Sequence, residues 1–310
     1  MGQSVLNRGD EKPVQASVAI CTYNRCQSLP KTLDSLVAMD KPEGAWELLV
    51  IDNNSSDQTA EIVQSYSNRL PMKYIFEERQ GLAHARNRAL KECTGDLLIF
   101  TDDDVVVSKE WLCAYVAAAS QYPAADYFGG RILPYWPQGR PGWVKDESMP
   151  LIGGLLGHYD LGSITRLYSE NDMHPFGANF VLRRSLFERL PSFNPEFGVS
   201  GKTPGRGEEA EYFQRAHTQG SIGVYVGEAL CLHAVNPDHL SLKFLYRFGV
   251  QKGLAHARLT GSAGGGNLSG EMLFLVKGVY QLLKGHGDRF RQCVVNMGMV
   301  RGARSLVREP

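Results

Sequence analysis

Three runs of polar residues carry the chemistry of this chain, and each follows an apolar segment. They are Thr22-Tyr23-Asn24-Arg25, Asp52-Asn53-Asn54-Ser55 and Asp102-Asp103-Asp104. Taken singly, each has a plain reading. Asn and Ser favour turns, and Ser56 or Asp57 can cap a helix. Three adjacent aspartates resist that reading, because clustered carboxylates repel unless a cation or a donor-rich ligand compensates. A hard divalent cation fits. Magnesium and manganese prefer carboxylate oxygens and leave positions for water and substrate phosphates. There is no G-x-G-x-x-G after the first apolar run and no G-x-x-x-x-G-K-[ST] anywhere. A phosphate-bearing ligand would therefore be held by side chains and metal, not by a glycine loop.

The elements that position these runs are legible from periodicity. Ser17–Cys21, Trp46–Ile51, Lys73–Phe76 and Leu97–Phe100 read as strands. Between and after them, Leu29–Met39, Asp57–Tyr66, Gly81–Cys93 and Lys109–Gln121 read as helices. Such alternation builds βαβ units and a mostly parallel sheet, in which ligands bind beyond the carboxyl ends of the strands. The three polar runs therefore converge on one place. Residues 134–175, rich in Pro, Gly, Trp and Tyr, read as long loops over it. Asn179–Arg183 resumes a strand, Ser185–Leu190 and Glu208–Gln219 are helical, and strands follow near Ile222–Val226 and Ala229–His233. Beyond residue 235, helical patterns at Leu240–Leu259, Met272–Leu283 and Asp288–Val307 are split by a Gly261–Asn267 linker.

Composition limits the alternatives. The 310 residues are 43% apolar and 21% charged, with 33 basic and 33 acidic residues, as in a globular chain with a sizeable core. A zero net charge argues against a nucleic-acid binder. The charge is uneven, however. Residues 236–310 hold eleven basic and four acidic residues, a net of +7, and the first 235 carry −7. No apolar run reaches the roughly 20 residues of a membrane span, and Met1–Lys12 has no apolar signal core. The six cysteines form no C-x-x-C pair and read as reduced thiols, which points to a cytoplasmic protein.

Val18-Ala-Ile-Cys-Thr-Tyr-Asn-Arg25, Val50-Ile-Asp-Asn-Asn-Ser-Ser-Asp57, Gly81-Leu-Ala-His-Ala-Arg-Asn-Arg88, Phe100-Thr-Asp-Asp-Asp-Val105 and Gly207-Glu-Glu-Ala-Glu211 stand in this order. Together they resemble the family-two glycosyltransferases over about residues 14–235. The resemblance implies an α/β fold of GT-A type: a mostly parallel sheet flanked by helices, with a C-terminal helical extension. It divides the chain into a 1–13 tail, a 14–235 catalytic domain and a basic 236–310 extension.

The resemblance also implies roles. The donor is a nucleotide-diphosphate sugar, with a UDP-sugar favoured. Thr22, Tyr23 and Asn24 would line the base pocket, and Asp52 would accept a hydrogen bond from the base edge. Asp102 and Asp103 would hold the ribose and donor sugar. Asp104 would bind Mn2+ or Mg2+, with His233 as a second candidate ligand. Arg79 and Arg86 would lie near the diphosphate or sugar, although an arginine on a helix face is ordinary. Asn179 would sit between donor and acceptor. Tyr135, Trp136 and Trp143 could stack on an acceptor ring or simply pack. Glu209 would be the general base, with Glu208 its alternative, since carboxylates at a helix start also interact with the dipole by about 0.3–1 kcal/mol. The reaction expected is inverting transfer to a hydroxyl of a glycan or lipid-linked acceptor.

Two other classes stay open at this point: a sugar-nucleotide-binding protein without turnover, and a sugar nucleotidyltransferase. The intact Glu208 and Glu209 argue against the first. The absence of a glycine-rich basic loop after the first strand argues against the second. The extension is expected either to pack on the body or to lie on an anionic membrane at the inner face, with Phe244, Leu245, Phe248, Leu273, Phe274 and Val276 as its apolar side.

Overall fold

The computed structural model describes residues 14–144, 156–170, 172–190, 192–197, 207–260, 273–275, 277, 278, 280, 281 and 284–305. The 1–13 tail, the Gly261–Asn267 linker and Val276 lie outside these residues.

Nine strands among the described residues form one sheet. They are β1 (Val14–Thr22), β2 (Ala45–Asp52), β3 (Met72–Phe76), β4 (Leu97–Thr101), β5 (Val105–Val107), β6 (Tyr127–Tyr135), β7 (Arg166–Leu167), β8 (Asn179–Arg183) and β9 (Gly223–Ala234). The order is β3-β2-β1-β4-β8-β6-β9-β5, with β7 paired to β9. β3, β2, β1 and β4 run parallel, as the β/α alternation dictates. Beyond β4 the sheet turns mixed: β8 is antiparallel to β4 and β6, while β6 and β9 are parallel to each other. The chain reverses its direction of travel across the sheet between β1 and β4, the kind of place where open α/β sheets leave a crevice for ligands.

Helices cover both faces. On one face lie α1 (Leu29–Ala38), α2 (Thr59–Ser65) and α4 (Trp111–Gln121). Leu29, Leu33 and Leu36, at helical spacing, bury their side chains with Val18, Ile20, Trp111 and Tyr115. On the other lie α3 (Leu82–Glu92), α5 (Arg184–Arg189) and α6 (Glu208–Thr218). There Leu49, Leu98, Phe100, Phe180, Phe193, Tyr212 and Phe213 form the core. Each of these large apolar side chains is worth about 1.5–3 kcal/mol by leaving water.

The structure adds strands that periodicity concealed. β6 begins at Tyr127, between the helix read to Gln121 and the loops read from 134, and Gly129 and Gly130 break its apolar pattern. A Cβ on Gly129 would collide with the Tyr168 hydroxyl, and one on Gly130 with Asn179 and Tyr115. The two strands expected near 222–233 are one continuous β9. All six cysteines are free thiols.

After β9 come a 3-10 turn (Pro237–Leu240), α7 (Leu242–Thr260) and α8 (Gly287–Ser305). α7 and α8 pack closely because glycines meet backbone: Gly249 and Gly253 face the carbonyls of Val295 and Met299, and Gly298 faces that of Tyr246. This corrects the expected apolar side of the extension. Leu245 and Phe248 are buried against Val295, with Phe244 packed beside them. Leu245 and Phe248 face a helix partner rather than a bilayer.

Candidate active site

The carboxyl ends of β1 and β2 are tied together. Asn24, at φ 53°, and Asn54, at φ 69°, both take the left-handed conformation that tight turns need. Asn24 Oδ1 accepts from the Ser56 N–H at 2.8 Å, and the Asn24 N–H donates to Ser55 Oγ at 2.9 Å. Tyr23 lies next to this junction with its ring 44% exposed. Asp52 is buried and accepts from the Ser55 N–H at 2.9 Å and the Tyr74 hydroxyl at 2.7 Å. Burial and this acceptor push the Tyr74 phenol up well beyond its usual value. Asn53 braces the next element: it accepts from the Gly81 N–H at 2.7 Å and donates to the Arg79 carbonyl at 2.7 Å, which fixes the entry to α3.

The aspartate run divides by alternation. Asp103 turns inward and lies 3.5 Å from Arg25. Burial and then Asp104 push its carboxyl up to about 7, against the pull of Arg25 and Thr22. Asp102 and Asp104 turn the other way, where they meet His233. One ligand atom from each of the three lies within 4.8 Å of the others. Burial and the neighbouring Asp104 raise the Asp102 carboxyl, against Arg86 and His233. Strand pairing brings His233 there: Val105 pairs with His233 in β9, and the Ala234 N–H donates to the Asp104 carbonyl at 3.0 Å. His233 Nε2 is 3.4 Å from Asp104 Oδ1. Its Nδ1 is buried with no hydrogen-bond partner among the described residues. Gly157, at φ +70°, presents its Cα to that ring, and a Cβ there would stand 2.7 Å from Nδ1.

This donor set fits a divalent cation. Two repelling carboxylates and an imidazole suit Mn2+, which tolerates mixed oxygen and nitrogen ligands, better than Mg2+, which prefers oxygen alone. Asp102, expected at the ribose and donor sugar, therefore groups with the expected metal candidates Asp104 and His233.

Beside this cluster lies a buried ion pair. Arg86 Nη1 is 2.7 Å from Glu208 Oε1 and 3.6 Å from Glu209 Oε2, and its side chain is 3% exposed. Its guanidinium carbon lies 5.9, 5.3 and 5.6 Å from the ring centroids of Phe100, Phe180 and Phe193. Burial works against the Arg86 charge, but Glu208 and Glu209 outweigh it and raise its pKa. Two carboxylates compete for one guanidinium, and Glu208 is the buried one. Burial first and Glu209 second push it up to about 7, with Arg86 opposing. The same groups set the Cys21 thiol: burial pushes it up to about 12, Arg86 opposes, and Asp102 and Asp103 add to the rise.

Several expected contacts fall elsewhere. Arg86 does not reach toward a diphosphate, because its guanidinium is closed in by Glu208 and the Gly177 carbonyl. Asn179 does not sit between two substrates. It is wholly buried, where Oδ1 accepts from Trp111 Nε1 at 2.8 Å and the Tyr115 hydroxyl at 2.7 Å. Its Nδ2 donates to the carbonyls of Arg131 and Ala229 at 3.0 and 2.7 Å, so its hydrogen bonds are spent within the sheet. Arg79 bonds to Glu77 at 2.9 Å with its side chain 61% exposed. Among the aromatics, the Tyr135 ring is covered by Lys31 and the Trp143 ring by Arg291, each at 3.8 Å from the centroid. Trp136 packs on the small cluster of Val144, Leu156 and Val235. The sequence reading missed Arg25 and Tyr74 as partners of Asp103 and Asp52, and nothing in their spacing points to either.

Comparison with known proteins places the chain among its relatives. The chain is 28% identical over 247 residues to the succinoglycan biosynthesis protein ExoM of Rhizobium meliloti, covering 78% of this chain and 74% of ExoM. It is 32% identical over 239 residues to the glycosyltransferase AglE of Haloferax volcanii, covering 75% and 71% of the two chains. In fold it matches a mannosyltransferase of Pyrobaculum calidifontis, PcManGT, solved with GDP-Man and Mn2+. The TM-score is 0.61 at 17% identity, with 97% of this chain and 91% of that one covered. Residues 17–191 match the model of glycosyl transferase family 2. The chain is a glycosyltransferase enzyme and belongs to that family.

Proposed function

We propose that this enzyme moves a sugar from a nucleoside-diphosphate donor, with a UDP-sugar favoured, to a hydroxyl of a glycan or lipid-linked acceptor, with inversion at the anomeric carbon. The observation that carries the reading is the meeting of Asp102, Asp104 and His233 at the sheet edge, beside the Arg86–Glu208–Glu209 cluster. The naming of PcManGT with a nucleotide sugar and Mn2+ supports the same chemistry. Residues 14–235 form the catalytic body in this reading and 236–310 the extension.

Asp102, Asp104 and His233 would hold Mn2+ or Mg2+, and the bound cation would supply Lewis-acid charge to the departing diphosphate. Thr22, Tyr23 and Asn24, with Asp52 beneath, would seat the base, and Asp103, held by Arg25, would lie by the ribose. Glu209 is the general base. Its side chain is 25% exposed, whereas Glu208 at 2% is sealed against Arg86. Glu209 takes the acceptor proton as the hydroxyl oxygen bonds to the anomeric carbon. The bond from that carbon to the diphosphate breaks, and its electron pair leaves with the diphosphate oxygen. Arg86, 3.6 Å from Glu209, would aim the base.

Asp104→Ala and Glu209→Gln test the reading. Both should nearly abolish transfer in a screen of nucleotide sugars with manganese, and Glu209→Gln should cost about 10²–10⁴-fold. Only Asp104→Ala should weaken metal-dependent nucleotide binding. Normal turnover in Glu209→Gln removes the base assignment.

Of the residues first expected on the apolar side of the extension, Leu273 is exposed, and Leu275 and Tyr280 join it. Among the described residues no helix is long and apolar enough to cross a membrane. Leu273, Leu275 and Tyr280 are 50%, 46% and 56% exposed beside exposed Lys277 and Lys284, a combination suited to an anionic lipid surface. Flotation with phosphatidylglycerol vesicles at low salt should carry the protein upward, and loss of flotation in Lys277→Glu/Lys284→Glu would locate the contact. A wild-type chain that stays at the bottom of the gradient excludes it.

A further inference from the structure

The two C-terminal helices touch the body at both edges of the candidate site. On the base side, Arg258 of α7 donates to the Glu196 carbonyl at 2.8 Å. Ala255 of the same helix faces Gly207, the left-handed residue (φ +102°) that starts α6 and precedes Glu208 and Glu209. On the metal side, the Arg291 guanidinium of α8 lies 3.8 Å above the centre of the Trp143 ring. Arg291 Nη1 also donates to the Gly287 carbonyl at 3.0 Å, which holds the guanidinium over the ring, and Gly287 itself lies against Trp143.

Trp143 leads back to the cation ligands. Its ring packs on Val144, Leu156 and Val235. Val235 stands two residues after His233 on the same strand end, and its N–H donates to the Tyr135 carbonyl at 2.8 Å. Leu156 precedes Gly157, which lies so near the His233 ring that a Cβ would not fit between them. Arg291, Trp143, Leu156–Gly157 and His233 thus form one continuous packed chain from the extension to the candidate metal ligand.

We propose that the α7–α8 pair is a brace built into the active centre, and that Arg291 is a positioning residue that sets His233 through Trp143. The inference rests on the metal reading above and goes beyond it, since it makes the extension part of the machinery that the cation needs. A cation over an indole face is among the stronger contacts of its kind, and it loses hydration when half-buried, so the seat is specific for this pair. Partners that orient a metal-ligating histidine from outside commonly change metal affinity about 10–100-fold when removed.

The test is calorimetric titration of the metal-free full-length chain with MnCl2 alone, beside steady-state kinetics in manganese. Arg291→Ala should raise the dissociation constant and the KM for manganese about tenfold or more, while kcat at saturating manganese is unchanged. Arg291→Lys should recover most of the affinity, because an ammonium can still sit over the ring. Trp143→Leu should match Arg291→Ala, and the double variant should be no worse than either, as expected of two residues acting through one contact. If Arg291→Ala does not fold by far-ultraviolet circular dichroism, Arg291→Gln carries the comparison. Unchanged manganese affinity in a folded Arg291 variant, with only a lower kcat, overturns the proposal. A wild-type chain that binds no manganese overturns the metal reading itself, and this inference with it.

Discussion

Replacing Arg86 with methionine removes a charge while nearly keeping volume, and its consequence can be worked from the site. Glu208 loses its partner at 2.7 Å and remains 2% exposed. Removal of one member of a buried pair costs about 3–5 kcal/mol when the other stays charged. Protonation sets a ceiling on that cost. Glu208 already stands near 7 against an ordinary value of 4.5, and without the guanidinium it rises further. Because Glu208 already stands near 7, the wild-type chain itself bears most of the cost of neutralising it at pH 7, and a further rise adds under about 1 kcal/mol there. The rest of the loss is that of the hydrogen-bond partner of a buried carboxyl, so Arg86→Met should lose about 1–3 kcal/mol near neutrality.

The pH dependence carries the sign. A carboxyl whose folded value lies above its unfolded one contributes stability that is complete below about 4.5 and lost as pH rises through the folded value. Arg86→Met should therefore be penalised less at pH 5.5 than at pH 7.5. Urea unfolding followed by tryptophan fluorescence at both pH values, on Arg86→Met, Glu208→Gln and the double variant, provides the comparison. The double variant should recover about 1 kcal/mol or more relative to Arg86→Met alone, since the two side chains are in direct contact. A single variant that loses under about 1 kcal/mol at both pH values, or a double variant as unstable as Arg86→Met, refutes the account of a buried pair.

Glu47 makes the opposite case. Burial would raise its carboxyl, but Lys73 at 2.8 Å, Thr94 and Ser17 outweigh it and hold it at about 2. Its contribution is therefore present above about 4.5 and lost as pH falls toward 2. Glu47→Gln should cost about 1.5–3 kcal/mol at pH 7 and progressively less below pH 4 in acid-unfolding profiles; a cost that does not shrink in acid contradicts this. Asn179→Leu should cost about 3 kcal/mol or more by stranding the Trp111 and Tyr115 donors and two carbonyls, read as a drop in the urea midpoint. Its surviving folded fraction should keep the wild-type donor KM, and a raised donor KM would restore Asn179 to the substrate.

How much of this site is legible in the chain alone depends on how far apart its partners lie. The convergence of residues 22–25, 52–55 and 102–104 follows from strand and helix alternation, because each run sits at the end of its own strand and the parallel order β3-β2-β1-β4 aligns those ends. The roles of single side chains are another matter. Asn179 follows a glycine and an alanine at a strand start, as a substrate contact would, yet its partners Trp111, Tyr115, Arg131 and Ala229 come from three other elements up to 68 residues away. Arg86 shows only a helix position, and the carboxylate that buries it lies 122 residues on. Phe244, Leu245 and Phe248 have the periodicity of an interfacial helix, and periodicity cannot distinguish a lipid from another helix; the glycines at 249, 253 and 298 that admit the second helix are the discriminating signal. Glu208 and Glu209 show the limit most sharply. They are adjacent and chemically identical, and one helical step separates a carboxylate sealed in an ion pair from one open to solvent. The chain can place two acids at the start of α6, but only the packing of Arg86 against three phenylalanines decides which of them holds the structure and which is left to take a proton.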